Sequence, residues 1–364
     1  MKNLYNLRTT FFLFSLILLV SCGSDNSDDY REISPVVLDL STVPYPLLSQ
    51  YKFFKGEMKN LEPAYKVIPY DLSSTLFTDY AHKKRFVWMP EGTKATYSAD
   101  GEVLNFPKGA VLIKNFYYDN VLPENTTRII ETRLMIKTAN VDGWIFADYV
   151  WNAEQTEATL DMRGSFTNVS WIENGATKTV NYRIPAEAEC LTCHKSGSPA
   201  VSIPIGPKPQ NINKDYAYAD GTQNQLSRWI SEGYLESAPQ NITSIVDWTD
   251  TTKPLELRVR SYLDINCAHC HSEGAHCSYR SMRFAFSETT SAANMGICVQ
   301  PQEFINSSLT YIVAKRSPLR SALYYRMNNV VESERMPLLG RTIIHTEALD
   351  MMREWISTMD ETCQ

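Results

Sequence analysis

The chain has 364 residues, 43% of them hydrophobic and 21% charged, with a formal net charge of −6 at pH 7. These fractions are those of an ordinary globular protein and exclude a wholly disordered one. The acidic balance argues against a nucleic-acid partner.

Reading from the N-terminus, Lys2 and Arg8 form a basic start, and Phe11 to Val20 form an apolar run too short to span a bilayer. Leu19-Val20-Ser21-Cys22 then resembles a bacterial lipobox, in which Cys22 is diacylated and becomes the mature N-terminus. An ordinary cleaved signal with a chance cysteine is the alternative. The acidic stretch from Gly23 to Tyr30 suits a tether between a lipid anchor and a folded body. Residues 1–22 are therefore expected to be a lipoprotein signal and 23–44 a disordered tether. No later segment is long and apolar enough for a transmembrane helix. The expected location is the bacterial cell envelope, lipid-anchored at the outer membrane on its periplasmic or surface face.

Residues 45–240 read as a β-rich domain. Alternating or aromatic-rich runs recur at Arg85–Met89, Ala110–Lys114, Thr132–Ile136, Gly143–Trp151 and Lys178–Arg183, separated by turn clusters such as Pro90-Glu-Gly92 and Pro123-Glu-Asn125. One covered face of an antiparallel sheet gives this pattern. At the end of the last run stands Cys190-Leu-Thr-Cys193-His194. A short helix with Leu226, Trp229 and Ile230 on one face and its end near Gly233 follows, and 236–253 reads as a connector.

Residues 241–364 read as an all-α, cytochrome c-like domain, making the whole α+β. Leu255, Val259 and Tyr262 lie at helical spacing and lead into a second motif, Cys267-Ala-His-Cys270-His271. The last helix is expected from Thr346 as its N-cap, with Leu349, Met352, Trp355, Ile356 and Met359 on its apolar face, and is expected to cross the first helix of the domain. His345 reads as a residue of that cap region.

Cys-x-x-Cys-His is the spacing of covalent haem attachment: two thiols that add to the haem vinyl groups, then an imidazole for the iron. Twice in one chain, it implies two covalently bound haem c groups held by Cys190, Cys193, Cys267 and Cys270, with His194 and His271 as iron ligands. A structural zinc site or a pair of redox dithiols is the bland alternative. Met336, in Arg335-Met336-Pro337, offers a thioether sulfur opposite His271. Of the eight cysteines, Cys277, Cys298 and Cys363 remain. An oxidising envelope favours one disulfide among them; Cys277–Cys298 is preferred, with Cys363 as a competing partner.

With these residues in view, the order Pro69-Tyr-Asp-Leu72, Leu76-Phe-Thr-Asp-Tyr-Ala81, Arg85-Phe-Val, Cys-x-x-Cys-His, Gly206-Pro-Lys, Asn266-Cys-Ala-His-Cys-His271, Arg335-Met-Pro337 and Trp355-Ile356 resembles an uncharacterised family of bacterial di-haem c-type cytochromes, many of them envelope lipoproteins. The resemblance implies a cofactor and a compartment rather than a substrate. More weakly, the β-rich half, with Phe106 to Lys114 inside it and a haem motif at its end, is similar to the cytochrome c′-beta group, some relatives of which cross-link a lysine to the haem; Lys114 would be that lysine here, and a solvated charge at a strand end is the alternative reading.

No distal ligand announces itself for the first haem. His82, Met89 and Met162 are candidates, lysine or tyrosine ligation is open, and so is an iron with a free position. Asp79, Arg85 and Arg133 are candidates to line that pocket. His269 and His276 read as surface or haem-edge residues. The expected function is electron transfer with a redox partner protein, such as a dehydrogenase or another cytochrome, in keeping with the acidic charge and with the membrane met through the anchor. The alternatives are a haem enzyme acting on a small nitrogen or peroxide substrate at the first haem, and a gas-binding module.

Overall fold

The computed structural model describes residues 32–138, 143–197 and 201–363. The signal segment and Cys22 lie outside the described residues. Ser34–Gln364 forms one compact unit, and the two expected domains, 45–240 and 241–364, both fall within it.

The alternating runs build one eight-stranded antiparallel sheet: β1 (Ile68–Tyr70), β2 (His82–Trp88), β3 (Val111–Val121), β4 (Thr126–Lys137), β5 (Trp144–Trp151), β6 (Ala158–Leu160), β7 (Ser165–Glu173) and β8 (Ala176–Ile184). Strands β1 to β6 pair in sequence order, and the β7–β8 hairpin joins through β3, where Val121 faces Trp171. Asn174 and Gly175 turn this hairpin with left-handed φ values of 51° and 76°, the backbone that an Asn-Gly pair adopts most readily. Strand β7 is absent from the predicted strands.

Because side chains alternate along a strand, the sheet has two different faces. Phe86, Ile113, Leu134, Ile136 and Tyr149 pack one face against Leu48, Tyr51 and Phe53. Val36, Leu38, Leu40 and Val43 join this cluster, the Val37 amide donates to the Tyr51 carbonyl at 3.0 Å, and Trp88 Nε1 donates to Ser34 Oγ at 2.9 Å. The chain is thus fixed from Ser34 onward, earlier than a tether over 23–44 predicts, because this short apolar run covers the sheet. The opposite face carries Val87 and Leu112, packed on Ile212, Leu226, Trp229 and Ile265. It also carries a row in register across five strands: Tyr70, Arg85, Lys114, Arg133 and Asp148.

After β8 come α1 (Cys190–Cys193), the pair β9 (Lys195–Ser196) and β10 (Val201–Ser202), α2 (Pro209–Ile212), the hairpin β11 (Asp215–Tyr218) and β12 (Gly221–Asn224), and α3 (Gln225–Ser231). Asn224 caps α3 by accepting from the amides of Leu226 and Ser227. Leu226 and Trp229 are buried as predicted, whereas Ile230 is 39% exposed, one residue too far round the helix. The remainder holds α4 (Leu255–Leu263), a π-helical turn (Asp264–Ala268), α5 (Ala322–Met327) and α6 (Thr346–Thr358), with long turns between them. Helices α4 and α6 pack together as predicted, through Val259, Tyr262 and Leu263 against Met352, Trp355 and Ile356.

Thr346 is the first residue of α6 rather than its cap: its amide donates to Tyr80 Oη at 3.1 Å, and His345 occupies the cap position. His345 stacks on Phe77 with ring centroids 3.9 Å apart and faces Tyr262 Oη at 3.1 Å through Nδ1. Burial, with Glu347 opposing, lowers its pKa to about 4. The folded value lies below the unfolded value of about 6.5, so the neutral ring's contribution is complete above that pH and is lost as pH falls from there to about 4. The wild type is expected to lose about 3 kcal/mol more than His345→Gln over this window. Urea titrations of both proteins at several pH values check it, and parallel curves would refute it.

The disulfide links Cys298 to Cys363, with Cα atoms 5.3 Å apart, and not Cys277 to Cys298. Cys298 donates its amide to the Val313 carbonyl, while the Lys315 amide meets Cys363 Sγ at 3.4 Å. This places the C-terminal tail beside Cys298. Cys277 instead turns inward, 5% exposed, with its amide on the Cys270 carbonyl.

Candidate functional site

Each cysteine motif is held by a short, specific piece of backbone. Strand β8 delivers the chain to a turn at Glu187–Glu189, where Glu189 accepts from the Ala186 amide at 3.0 Å and pairs with Arg183. The single turn α1 then carries Cys190 and Cys193, and the His194 amide closes on the Cys190 carbonyl at 2.9 Å. His194 Nδ1 donates to the Ile203 carbonyl at 2.7 Å. That bond leaves Nε2 with its lone pair, the tautomer a metal-ligating imidazole needs. In the second motif, the π-helical turn that extends α4 presents Cys267, and the Cys270 and His271 amides both return to its carbonyl. His271 is 8% exposed, lies edge-on to Phe284 and has no hydrogen-bond partner at Nδ1 among the described residues.

The two motifs touch. Cys270 Sγ contacts the Thr192 carbonyl at 3.3 Å, and ligand atoms of Cys193, His269 and Cys270 lie within 4.8 Å of one another. The loops behind them meet backbone to backbone: a Cβ on Gly274 would stand 2.5 Å from the Gly197 nitrogen. Only glycine, here at φ 70°, permits that approach.

Each motif borders its own cleft, partly open to solvent. Cleft one is lined by Cys190, Cys193, His194, Lys114, Arg133 and Met162, with Leu112, Met135 and Phe146 from the sheet. Cleft two is lined by Cys267, Cys270, His271, Met336, Phe284 and Leu323. Cys193, His269, Pro337 and Leu339 line both, so the clefts share a wall.

Burial lowers His194 and His271 to about 4, so both imidazoles are neutral and ligand-competent at neutral pH. Burial also raises the Cys190 thiol to about 11 and the Cys267 thiol to about 12. Cys193 is driven the other way, because Cys270 and His269 hydrogen-bond its sulfur. Above cleft one, Glu131 is fully buried and gathers Arg133 and Tyr182 Oη, the latter at 2.6 Å. Arg133 also reaches Asp148 at 3.4 Å. Burial and the Glu131 charge push the Asp148 carboxyl well up, while Glu131 stays low against its own burial because Arg133 lies beside it. Lys114 is pushed well down by burial and by Arg85 and Arg133, and its ammonium lies over the Phe116 ring at 4.9 Å.

The structure sorts the first-cleft candidates. Met162, Lys114 and Arg133 line the cleft. His82 is exposed and faces Asp119 at 3.9 Å, and Met89 is buried in the core. Arg85 pairs with Asp71 at 2.7 Å, and Asp79 binds the 342–343 segment instead. His276 is exposed at the rim of cleft two, while His269 sits in the shared wall rather than at the surface. Met135, Phe146 and Asp148 were missed, although their strand period, shared with Arg133, placed them on one face.

No protein-family model, curated protein or solved structure matches the chain. The chemistry of the site therefore rests on its own residues: two neutral imidazoles, four thiols and a thioether, divided between two adjoining clefts.

Proposed function

We propose that this protein is a di-haem c-type cytochrome that carries single electrons in the bacterial envelope, anchored through Cys22, and a member of the di-haem lipoprotein family its motifs resemble. The observation that carries the reading is the pairing of each Cys-x-x-Cys-His motif with a separate cleft, the two clefts sharing the wall of Cys193, His269, Pro337 and Leu339. Haem bound in these clefts would supply one-electron redox chemistry. Cys190 and Cys193 would hold one group, and Cys267 and Cys270 the other. His194 is oriented for iron by its bond to Ile203. Met336 lines the same cleft as His271 and would offer its thioether sulfur as a further iron ligand. Residues 241–364, with α4 packed on α6 and a methionine loop between, act as the cytochrome c-like module. The shared wall suits transfer between the two groups, and a basic redox partner suits the net charge of −6.

The polar lining of cleft one supports a second reading, a haem enzyme with an open first iron. Lys114, Arg133 and Asp148 stand where a small nitrogen or peroxide substrate would need polar partners. A structural zinc site is disfavoured by the donor set: among the described residues Cys193, His269 and Cys270 bring together three ligands where such a site takes four.

The test is the protein purified from a host that attaches haem c. Covalent haem surviving denaturation at two per chain is the expected result, and none would sink the proposal. Low-temperature EPR showing two low-spin irons, with no carbon monoxide binding after reduction, selects the carrier. A high-spin iron that binds carbon monoxide selects the enzyme.

A further inference from the structure

The Leu76-Phe-Thr-Asp-Tyr-Ala81 segment has no part in either motif, yet it is tied to both sides of cleft two. Asp79 is 2% exposed, and its carboxylate accepts from the Thr342 amide at 2.7 and 3.0 Å, from Thr342 Oγ1 at 2.9 Å and from the Ile343 amide at 3.1 Å. Next to Thr342, Arg341 is 4% exposed and spends its guanidinium on backbone carbonyls: Met336 at 2.8 and 3.1 Å, Arg326 at 3.0 Å, Asn329 at 2.9 Å and Ile343 at 3.1 Å. The Met336 loop is thus fixed by Arg341, and the residues after Arg341 by Asp79. On the other side, the Phe77 amide donates to Asn266 Oδ1 at 2.8 Å, directly before Cys267. Asp79 is in turn held to the sheet, where Tyr118 Oη on β3 donates to its carbonyl at 2.7 Å. Asp79 and Tyr80 both take left-handed φ, 46° and 64°, a conformation non-glycine residues keep only where their surroundings enforce it.

We infer that residues 77–80 are a bracket that sets the separation of the two walls of cleft two, with Asp79 and Arg341 as positioning residues for Met336, which lines that cleft together with His271. A buried carboxylate satisfied by two amides and a hydroxyl is a stiff joint, since each donor would be left unpaired if the loop moved away. The bracket belongs to the β-sheet half of the chain, so the methionine loop answers to a part of the protein remote in sequence. The spectroscopic arm of the test rests on the di-haem reading; the cleavage arm does not.

The experiment compares the full-length protein with Asp79→Ala and with Thr342→Val, which removes only the hydroxyl contact. Two quantities are read: the number of carbon monoxide-binding haems per chain after reduction, and the rate of tryptic cleavage after Arg335 and Arg341. Asp79→Ala is expected to gain one carbon monoxide-binding haem over wild type at unchanged haem content, and to be cut about tenfold faster or more in this loop. Thr342→Val is expected to move both in the same direction by less, and it carries the comparison if Asp79→Ala does not fold. Two haems per chain with unchanged carbon monoxide stoichiometry and unchanged cleavage in the folded variants would overturn the inference while leaving the di-haem reading intact. A wild type without covalent haem would remove that reading, and the cleavage rates alone would then decide whether Asp79 holds the loop.

Discussion

Cys267→Ser/Cys270→Ser is expected to retain one covalent haem per chain instead of two, and Cys190→Ser/Cys193→Ser is expected to retain the other one. Each pair of thiols borders its own cleft, and neither cleft draws both of its attachment sulfurs from the other motif. The halving is what separates haem attachment from the competing use of these residues. A metal held by Cys193, His269 and Cys270 takes one thiol from each motif, so either double variant would abolish it entirely. Haem staining after denaturation, with absorbance per chain, reads the difference. Full loss of cofactor in both variants would reject two independent attachment sites. The surviving site should also report on its neighbour, because the Cys193 and Cys270 sulfurs lie within 4.8 Å of each other.

Glu131→Ala is expected to destabilise the protein by about 3–5 kcal/mol, the cost of stranding a buried charge by removing its partner. Glu131 is fully buried and holds Arg133 and Tyr182. Without it the nearest carboxyl to Arg133 is Asp148, at the longer distance of 3.4 Å. Glu131→Gln keeps the shape and one acceptor, and should cost less. Guanidinium unfolding of the two variants and wild type checks both size and order. A loss below about 1 kcal/mol for the alanine variant would show that water reaches Arg133 and satisfies it.

Much of the fold was legible because it is written locally. The runs at Arg85–Met89 and Gly143–Trp151 became β2 and β5, and Leu349, Met352 and Ile356 do form the buried face of α6. Strand β7 escaped because Phe166, its first large apolar residue, points to solvent at 63% exposure, which blurs the alternation that marks a strand. What sequence could not give are the choices made between distant segments. Cys298 had two partners to choose from, and only the path of the C-terminal tail selects Cys363. The two motifs were legible one at a time, but their contact through Cys270 and Thr192 is a product of packing. Asp79 reads in sequence as a candidate for the first haem pocket, and its partners at 342 and 343 carry no mark that would announce them.

The bond from Asp79 to Thr342 spans 263 residues and that from Tyr80 to Glu347 spans 267. Contacts this remote form late, after local elements have reduced the entropy of closing so large a loop. The final helix must therefore dock before cleft two has its full shape, and a chain truncated ahead of residue 342 would keep its sheet but never complete that cleft. Because Pro337 and Leu339 line both clefts, both wait on the same C-terminal segment for their complete walls.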